Sequence, residues 1–423
     1  MPPISPHPSL GQSPESLGPR PLPLHLALQT MTWLSSLAAL NGLKDGSLPW
    51  NPGLKKAAEA LQKNLEKSDT GDFAAAVDAE ARRRLTVFAE GVSLYREFPR
   101  PPRPTVPAAA WRAGSTELLD YGSVAGAKGA NRAPVLVVPS LINRGYILDL
   151  TEKRSFMRHL ASAGFHPYLI EWGTPGPDER DFTLTDYICR RLEPALDEIC
   201  RFTGRAPGVV GYCMGGNLAL ALAVRKPVQV AALALLATPW DFHAGMNGPV
   251  RMLKAMAPGL NLMIDQLGEL PIDVIQAMFA SLTPYSTTTK FNRFAGLDPA
   301  SDKAQNFVAL EDWLNDGVPL TGPVARECLE GWYGDNTPVL GEWRVSGSPV
   351  RGEDVRSPTM LVIPEQDHIV PPGSATALAE TIPGADVQSI AAGHIGMMTG
   401  SRAKAGLYQP LTKWLEQTLT VIN

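Results

Sequence analysis

Cys213 stands in the turn-like run Gly211-Tyr212-Cys213-Met214-Gly215, with Gly208-Val209-Val210 before it and Asn217-Leu218-Ala219-Leu220-Ala221-Leu222 after it. A strand that runs into Gly-x-Cys-x-Gly and then into a helix aims a nucleophile out of a sharp turn, with Cys where Ser is more usual. The flanking glycines are required there because side chains would collide with the strand and the helix. Such a thiol is suited to acyl transfer through a thiolate. Asp367, at the end of the apolar run Thr359-Met360-Leu361-Val362-Ile363-Pro364, is the candidate orienting acid. His394, in Ala391-Ala392-Gly393-His394-Ile395-Gly396, is the candidate base. Each residue also has an ordinary reading: a small core thiol, a turn acid, a loop imidazole. Their joint order and spacing, 154 residues from Cys213 to Asp367 and 27 more to His394, favours the catalytic one. His368 is a rival base, but its neighbours Ile369-Val370-Pro371-Pro372 read as a packed loop and make it a supporting residue.

Elements that position these residues follow from the pattern. Nucleophile, acid and His in that chain order is the order of α/β-hydrolases. Short apolar runs at 135–138, 167–170, 209–210, 232–236 and 359–363 alternate with helical stretches, which predicts a mostly parallel, doubly wound sheet with helices on both faces. In that fold the backbone N–H after the nucleophile and one from the loop after the third strand hold the oxyanion, which here points to Met214 and Leu141. Between residues 241 and 355 the pattern breaks into Pro- and Met-punctuated helical pieces, the expected inserted cap. A cap over Cys213 excludes water, although its Met and Leu content reads first as plain core packing.

The 423 residues, 44% hydrophobic and 19% charged, suffice for a large core with additions. Three regions are expected: a disordered Pro-rich tail over 1–21, a helical region with a Pro-rich linker over 22–104, and the catalytic domain over 105–423. The helical stretch at 24–40 reads as docked on the domain, with a granule- or partner-facing surface as the alternative, and is too polar to span a bilayer. A net charge of −4 without a basic, aromatic-interleaved cluster excludes nucleic acid as an implied partner. Cys189, Cys200, Cys213 and Cys328 are too few and too irregular for a disulfide framework or a zinc site, so a reducing compartment and no metal are expected.

Several blocks together then carry a resemblance. They are Val137-Val138-Pro139-Ser140-Leu141-Ile142-Asn143-Arg144-Gly145-Tyr146-Ile147-Leu148-Asp149-Leu150, the Cys213 elbow, Thr238-Pro239-Trp240-Asp241-Phe242, Leu310-Glu311-Asp312-Trp313-Leu314-Asn315-Asp316-Gly317, Gln366-Asp367-His368-Ile369-Val370-Pro371-Pro372 and Gly393-His394-Ile395-Gly396. From about residue 134 to the C-terminus the chain resembles the polyhydroxyalkanoate synthases, most of all the catalytic subunit of the class III enzymes. The resemblance implies polymerisation of (R)-3-hydroxyacyl-coenzyme A into polyester, with Cys213, Asp367 and His394 at the family's catalytic positions. It further implies a cytoplasmic enzyme at the polyester granule that needs no cofactor beyond the coenzyme A thioester it consumes. A homodimer and a second synthase subunit stay open as partners. Arg144, Asn143 and His368 are candidates for substrate contact, Arg144 for the phosphates of coenzyme A against the alternative of a solvated surface Arg. A Cys-dependent polyester depolymerase or acyl-CoA thioesterase of the same fold is the competing enzymatic reading, and a granule-associated protein without activity is the non-enzymatic one.

Overall fold

The computed structural model describes residues 18–65, 68–128 and 133–421. It contains two compact units, one of Pro102–Leu282 with Asp316–Asn423, the other of Met1–Pro101 with Thr283–Asn315.

The larger unit is built on an eight-stranded sheet, numbered here β1 (Ala109–Ala113), β2 (Thr116–Asp120), β3 (Pro134–Val138), β4 (His166–Glu171), β5 (Gly208–Tyr212), β6 (Ala232–Leu236), β7 (Thr359–Pro364) and β8 (Asp386–Ile390). Its strand order is β1-β2-β4-β3-β5-β6-β7-β8. From β4 to β8 every neighbouring pair is parallel, and β2 joins β4 antiparallel. Strands β3, β5, β6 and β7 are buried along their whole length, because both faces of a parallel sheet are covered by crossover helices. That burial is why they read as continuous apolar runs. β1, β2 and β8 are not among the expected apolar runs. The first two form an antiparallel ribbon turned by Gly114-Ser115, and β8 is an edge strand with exposed Asp386, Val387 and Ser389, so none shows a continuous apolar signature.

Within the cap interval, residues 241–282 and 316–355 stay with the larger unit. They supply the helices Asn247–Leu267 and Ile272–Leu282 and the π-helical turn Glu327–Gly334. A short antiparallel pair, Glu269–Leu270 with Leu320–Thr321, ties the pieces together.

Thr283–Asn315 groups instead with the N-terminal helices, a division that differs from the expected 22–104 and 105–423 boundaries. The long helix Thr70–Glu97 is capped by Asp69, whose carboxylate accepts the N–H groups of Gly71 and Asp72. Its apolar side puts Phe88, Val92 and Tyr95 against Phe291, Phe294, Ala304 and Val308. Phe291 meets both Phe88 and Tyr95 edge to face, at 5.9 and 5.6 Å between ring centroids. Tyr95 Oη donates to Asp312 Oδ1 at 2.7 Å, and Arg100 pairs with the same carboxylate at 3.1 Å. Of the tail expected over 1–21, residues 1–17 lie outside the described residues. The remainder is held: the Arg20 N–H donates to Asn315 Oδ1 at 2.9 Å, and Gly18 O accepts from Arg96. Helix Leu22–Ala38 buries His25 and joins Gln29 to Thr288, leaving Met31 and Leu34 exposed. Among the described residues no helix is long and apolar enough to cross a membrane.

Candidate active site

Cys213 follows β5 and precedes the buried helix Met214–Arg225, at φ 56° and ψ −131°. Positive φ on a residue with a side chain is strained, and it persists here because the surroundings fix it. The Cys213 N–H donates to Leu236 O at 2.9 Å, and its carbonyl accepts from Gly216 N at 2.8 Å. A Cβ on Gly215 would run into Val138 O and Pro139, and one on Gly211 into the backbone of Gly215 and Gly216. Glycine at these two positions lets the helix sit against β3 and β5, and the thiol is thrust out of the turn.

Asp367 lies in the loop after β7 and His394 in the loop after β8, so the parallel pairing of these strands brings the two loops to one end of the sheet. His394 Nδ1 donates to Asp367 Oδ2 at 2.6 Å. Asp367 Oδ1 accepts the N–H groups of Ile369 and Val370 at 2.8 and 2.9 Å, which fixes the carboxylate. With Nδ1 committed to Asp367, Nε2 is the nitrogen left for the thiol, and His394 hydrogen-bonds Cys213. Burial by itself lowers the basicity of this imidazole. The negative charge of ionised Cys213 and the hydrogen bonds to Asp367 and Cys213 outweigh burial and push His394 up to about 10. Tyr212, immediately before the nucleophile, stacks on the His394 ring at 5.3 Å and donates from Oη to His394 O at 3.1 Å. The last residue of β5, next in the chain to the nucleophile, thus also positions the base, a contact that no sequence motif marks.

Met214 is the first residue of its helix, so its N–H has no intrahelical acceptor and lies beside the nucleophile. Leu141 is buried in the loop after β3, its side chain with Trp172, Tyr187 and Leu320, while the next residue, Ile142, lines the space in front of Cys213. Arg144 is engaged with Glu171 and Asp316, each at 3.8 Å, and donates to Thr174 Oγ1 at 2.9 Å. Burial pushes the carboxyl of Glu171 up, and the Arg144 charge opposes this only in part. Asn143 bridges to Gly317, and its Oδ1 is buried without a partner. His368 is exposed beside Asp367. None of these three lines the cleft at Cys213.

That cleft holds about 1050 Å³ of atom-free space, its open mouth included. Its walls are almost wholly apolar, and Met214, Met246, Met252, Met256 and Met278 all face it. Four methionines of the cap, Met246, Met252, Met256 and Met278, thus line the space before the thiol. Unbranched thioether side chains adapt to ligands of irregular shape. Phe242, Trp332 and Tyr333 complete the wall near the nucleophile.

Comparison with known proteins matches residues 133–401 to the alpha/beta hydrolase fold. Poly(3-hydroxyalkanoate) polymerase subunit PhaC of Allochromatium vinosum is 30% identical over 71% of this chain and 85% of its own length. The Synechocystis protein of the same name is 32% identical over 67% of this chain and 78% of its own. The Haloarcula marismortui protein is 31% identical over 68% of this chain, which spans 61% of that relative's length.

Proposed function

The chain belongs to the poly(3-hydroxyalkanoate) polymerase family on the α/β-hydrolase fold, and from that premise we propose that it is an acyltransferase that polymerises (R)-3-hydroxyacyl-coenzyme A through an acyl group carried on Cys213. One observation carries the reading: a strained, outward-aimed thiol hydrogen-bonded to an Asp367-anchored imidazole at the wall of an apolar cleft.

His394 Nε2 accepts the Cys213 proton, and the thiolate attacks the thioester carbonyl. The oxyanion that forms is held by the N–H groups of Met214 and Leu141. As the tetrahedral carbon collapses, its bond to the sulfur of coenzyme A breaks and His394 returns the proton to that leaving thiolate. The 3-hydroxyl of a second acyl group or of the growing chain then gives its proton to His394, and its oxygen attacks the acyl carbon. The Cys213 thiolate departs and a new ester bond remains. Exchange of one thioester for another costs little, and the acyl group stays activated until the hydroxyl arrives. Asp367 holds the tautomer throughout.

Apolar walls favour transfer over hydrolysis, because water gains few hydrogen-bond partners beside the acyl-enzyme. The polyester granule and a second copy or a second subunit are the partners the reading implies, the last because the relatives are named as polymerase subunits. Purified protein and its Cys213→Ala variant, given (R)-3-hydroxybutyryl-coenzyme A, test the proposal through free thiol and insoluble polyester. Both products from the parent and neither from the variant is the expected result. Cys213-dependent thiol release with free acid alone would make the chain a thioesterase, and no thiol release even with candidate partner subunits would leave the depolymerase and the inactive granule protein.

A further inference from the structure

The cleft in front of Cys213 is short of groups that could recognise a hydroxyl. Among its lining side chains, Cys213, Ser281, Cys328, Trp332 and Tyr333 carry a hydrogen-bonding N, O or thiol. Thiols are weak donors. The Ser281 hydroxyl is already given to Met278 O at 2.6 Å, and Trp332 Nε1 is buried without access to open space. The Tyr333 phenol is different: among the described residues no hydrogen bond engages its hydroxyl, and it stands close enough to Cys213 and Cys328 to feel their charge. Burial and those charges push the phenol up, so it keeps its proton and acts as a donor at neutral pH.

The residue is also held in place. Tyr333 sits in the π-helical turn Glu327–Gly334, a widened helix of the kind that often marks functional positions. Its carbonyl accepts from His243 Nε2 at 2.9 Å, and Phe242 meets its ring edge-on at 4.9 Å. Phe242 N donates to Asn336 Oδ1 at 2.9 Å, and Asn336 Nδ2 to Asp241 Oδ1 at 2.8 Å. The Thr238-Pro239-Trp240-Asp241-Phe242 block, to which the chemistry at Cys213 gives no role, thus braces the turn that carries Tyr333.

We propose that Tyr333 is the residue that recognises the 3-hydroxyl of the substrate, its phenolic O–H donating to that oxygen inside the apolar cleft. A hydroxyl brought into such a space without a partner is costly, so the site discriminates between a 3-hydroxyacyl group and its deoxy analogue. The inference rests on the acyl-transfer reading of Cys213 and can be tested apart from turnover. In the Cys213→Ala background, calorimetry gives the affinities for (R)-3-hydroxybutyryl-coenzyme A and for butyryl-coenzyme A. The hydroxylated ligand should bind about tenfold tighter. Adding Tyr333→Phe should bring the ratio to about one, with butyryl-coenzyme A binding unchanged. A preference that survives in the double variant, equal weakening of both ligands, or binding of neither ligand to Cys213→Ala would overturn the assignment. If the ratio depends on Tyr333 while the parent protein releases no thiol even with candidate partner subunits, the acyl-transfer reading fails and the Tyr333 contact stands.

Discussion

Asp367 binds the backbone with one oxygen and His394 with the other: Oδ1 takes the N–H groups of Ile369 and Val370, and Oδ2 takes His394 Nδ1 at 2.6 Å. The carboxylate cannot rotate without losing two charge-assisted bonds. Asp367→Asn keeps the backbone bonds through its remaining oxygen but turns an N–H₂ toward Nδ1. The imidazole must then carry its proton on Nε2, the nitrogen that should receive the Cys213 proton. Thiol release from (R)-3-hydroxybutyryl-coenzyme A should fall by about 10²-fold or more while the melting temperature changes little. A loss under about threefold, within the range of an unused contact, would remove Asp367 from the mechanism.

The basicity of His394 gives a signed pH prediction. Its folded value lies at about 10 against an ordinary 6.5, so its contribution to stability is fully present below about 6.5 and is lost as pH rises toward 10. Two of the causes that raise it, the charge of Cys213 and the hydrogen bond with it, disappear in Cys213→Ala. NMR titration of the His394 ring should therefore show a lower midpoint in the variant than in the parent protein. An unchanged midpoint would mean that thiol and imidazole are not coupled.

Crowding at the elbow sets a stability prediction. A Cβ on Gly211 would lie 2.7 Å from Gly215 O and 2.8 Å from Ala219 Cβ, between a strand and a helix that are both buried. Gly211→Ala should cost about 1–3 kcal/mol, read from chemical denaturation, and should reduce acylation by shifting Cys213. A variant as stable as the parent would show that strand and helix can part there at no cost.

The smaller unit makes its own prediction. Phe291 is fully buried against Phe88 and Tyr95, with Phe294 and Phe307 stacked at 4.4 Å in the same cluster. Phe291→Ala should destabilise the protein by about 3–5 kcal/mol. Hydrogen exchange should accelerate along Thr70–Glu97 more than along β5, because the cavity opens in the cluster to which that helix belongs. Equal acceleration in both elements would contradict the division into two units.

These contrasts show what a single sequence carries. β3, β5, β6 and β7 were legible because a parallel strand covered on both faces must be apolar throughout. Cys213, Asp367 and His394 were legible because each stands at the end of such a strand or in a glycine-flanked turn. β8 was not, since an edge strand can expose Asp386 and Ser389. The placement of Thr283–Asn315 was out of reach for another reason: helical periodicity marks the apolar face of Phe291 and Phe294 but not its partner, which lies some two hundred residues upstream at Phe88. Tyr333 carries no motif of its own. Its position depends on a π-helical turn and on hydrogen bonds from His243 and through Asn336, none of which periodicity encodes. Arg144 was read from its charge beside the loop after β3, and the structure commits it to Glu171 and Asp316.

Acyl transfer to Cys213 is the central claim, and intact-protein mass spectrometry on quenched reactions tests it most directly. After brief exposure to (R)-3-hydroxybutyryl-coenzyme A, the protein should carry hydroxybutyryl groups that map to the peptide containing Cys213 and are released by hydroxylamine at neutral pH. No adduct should form on Cys213→Ala. Coenzyme A release at an undiminished rate in that variant, or an adduct on any other residue, would contradict the account.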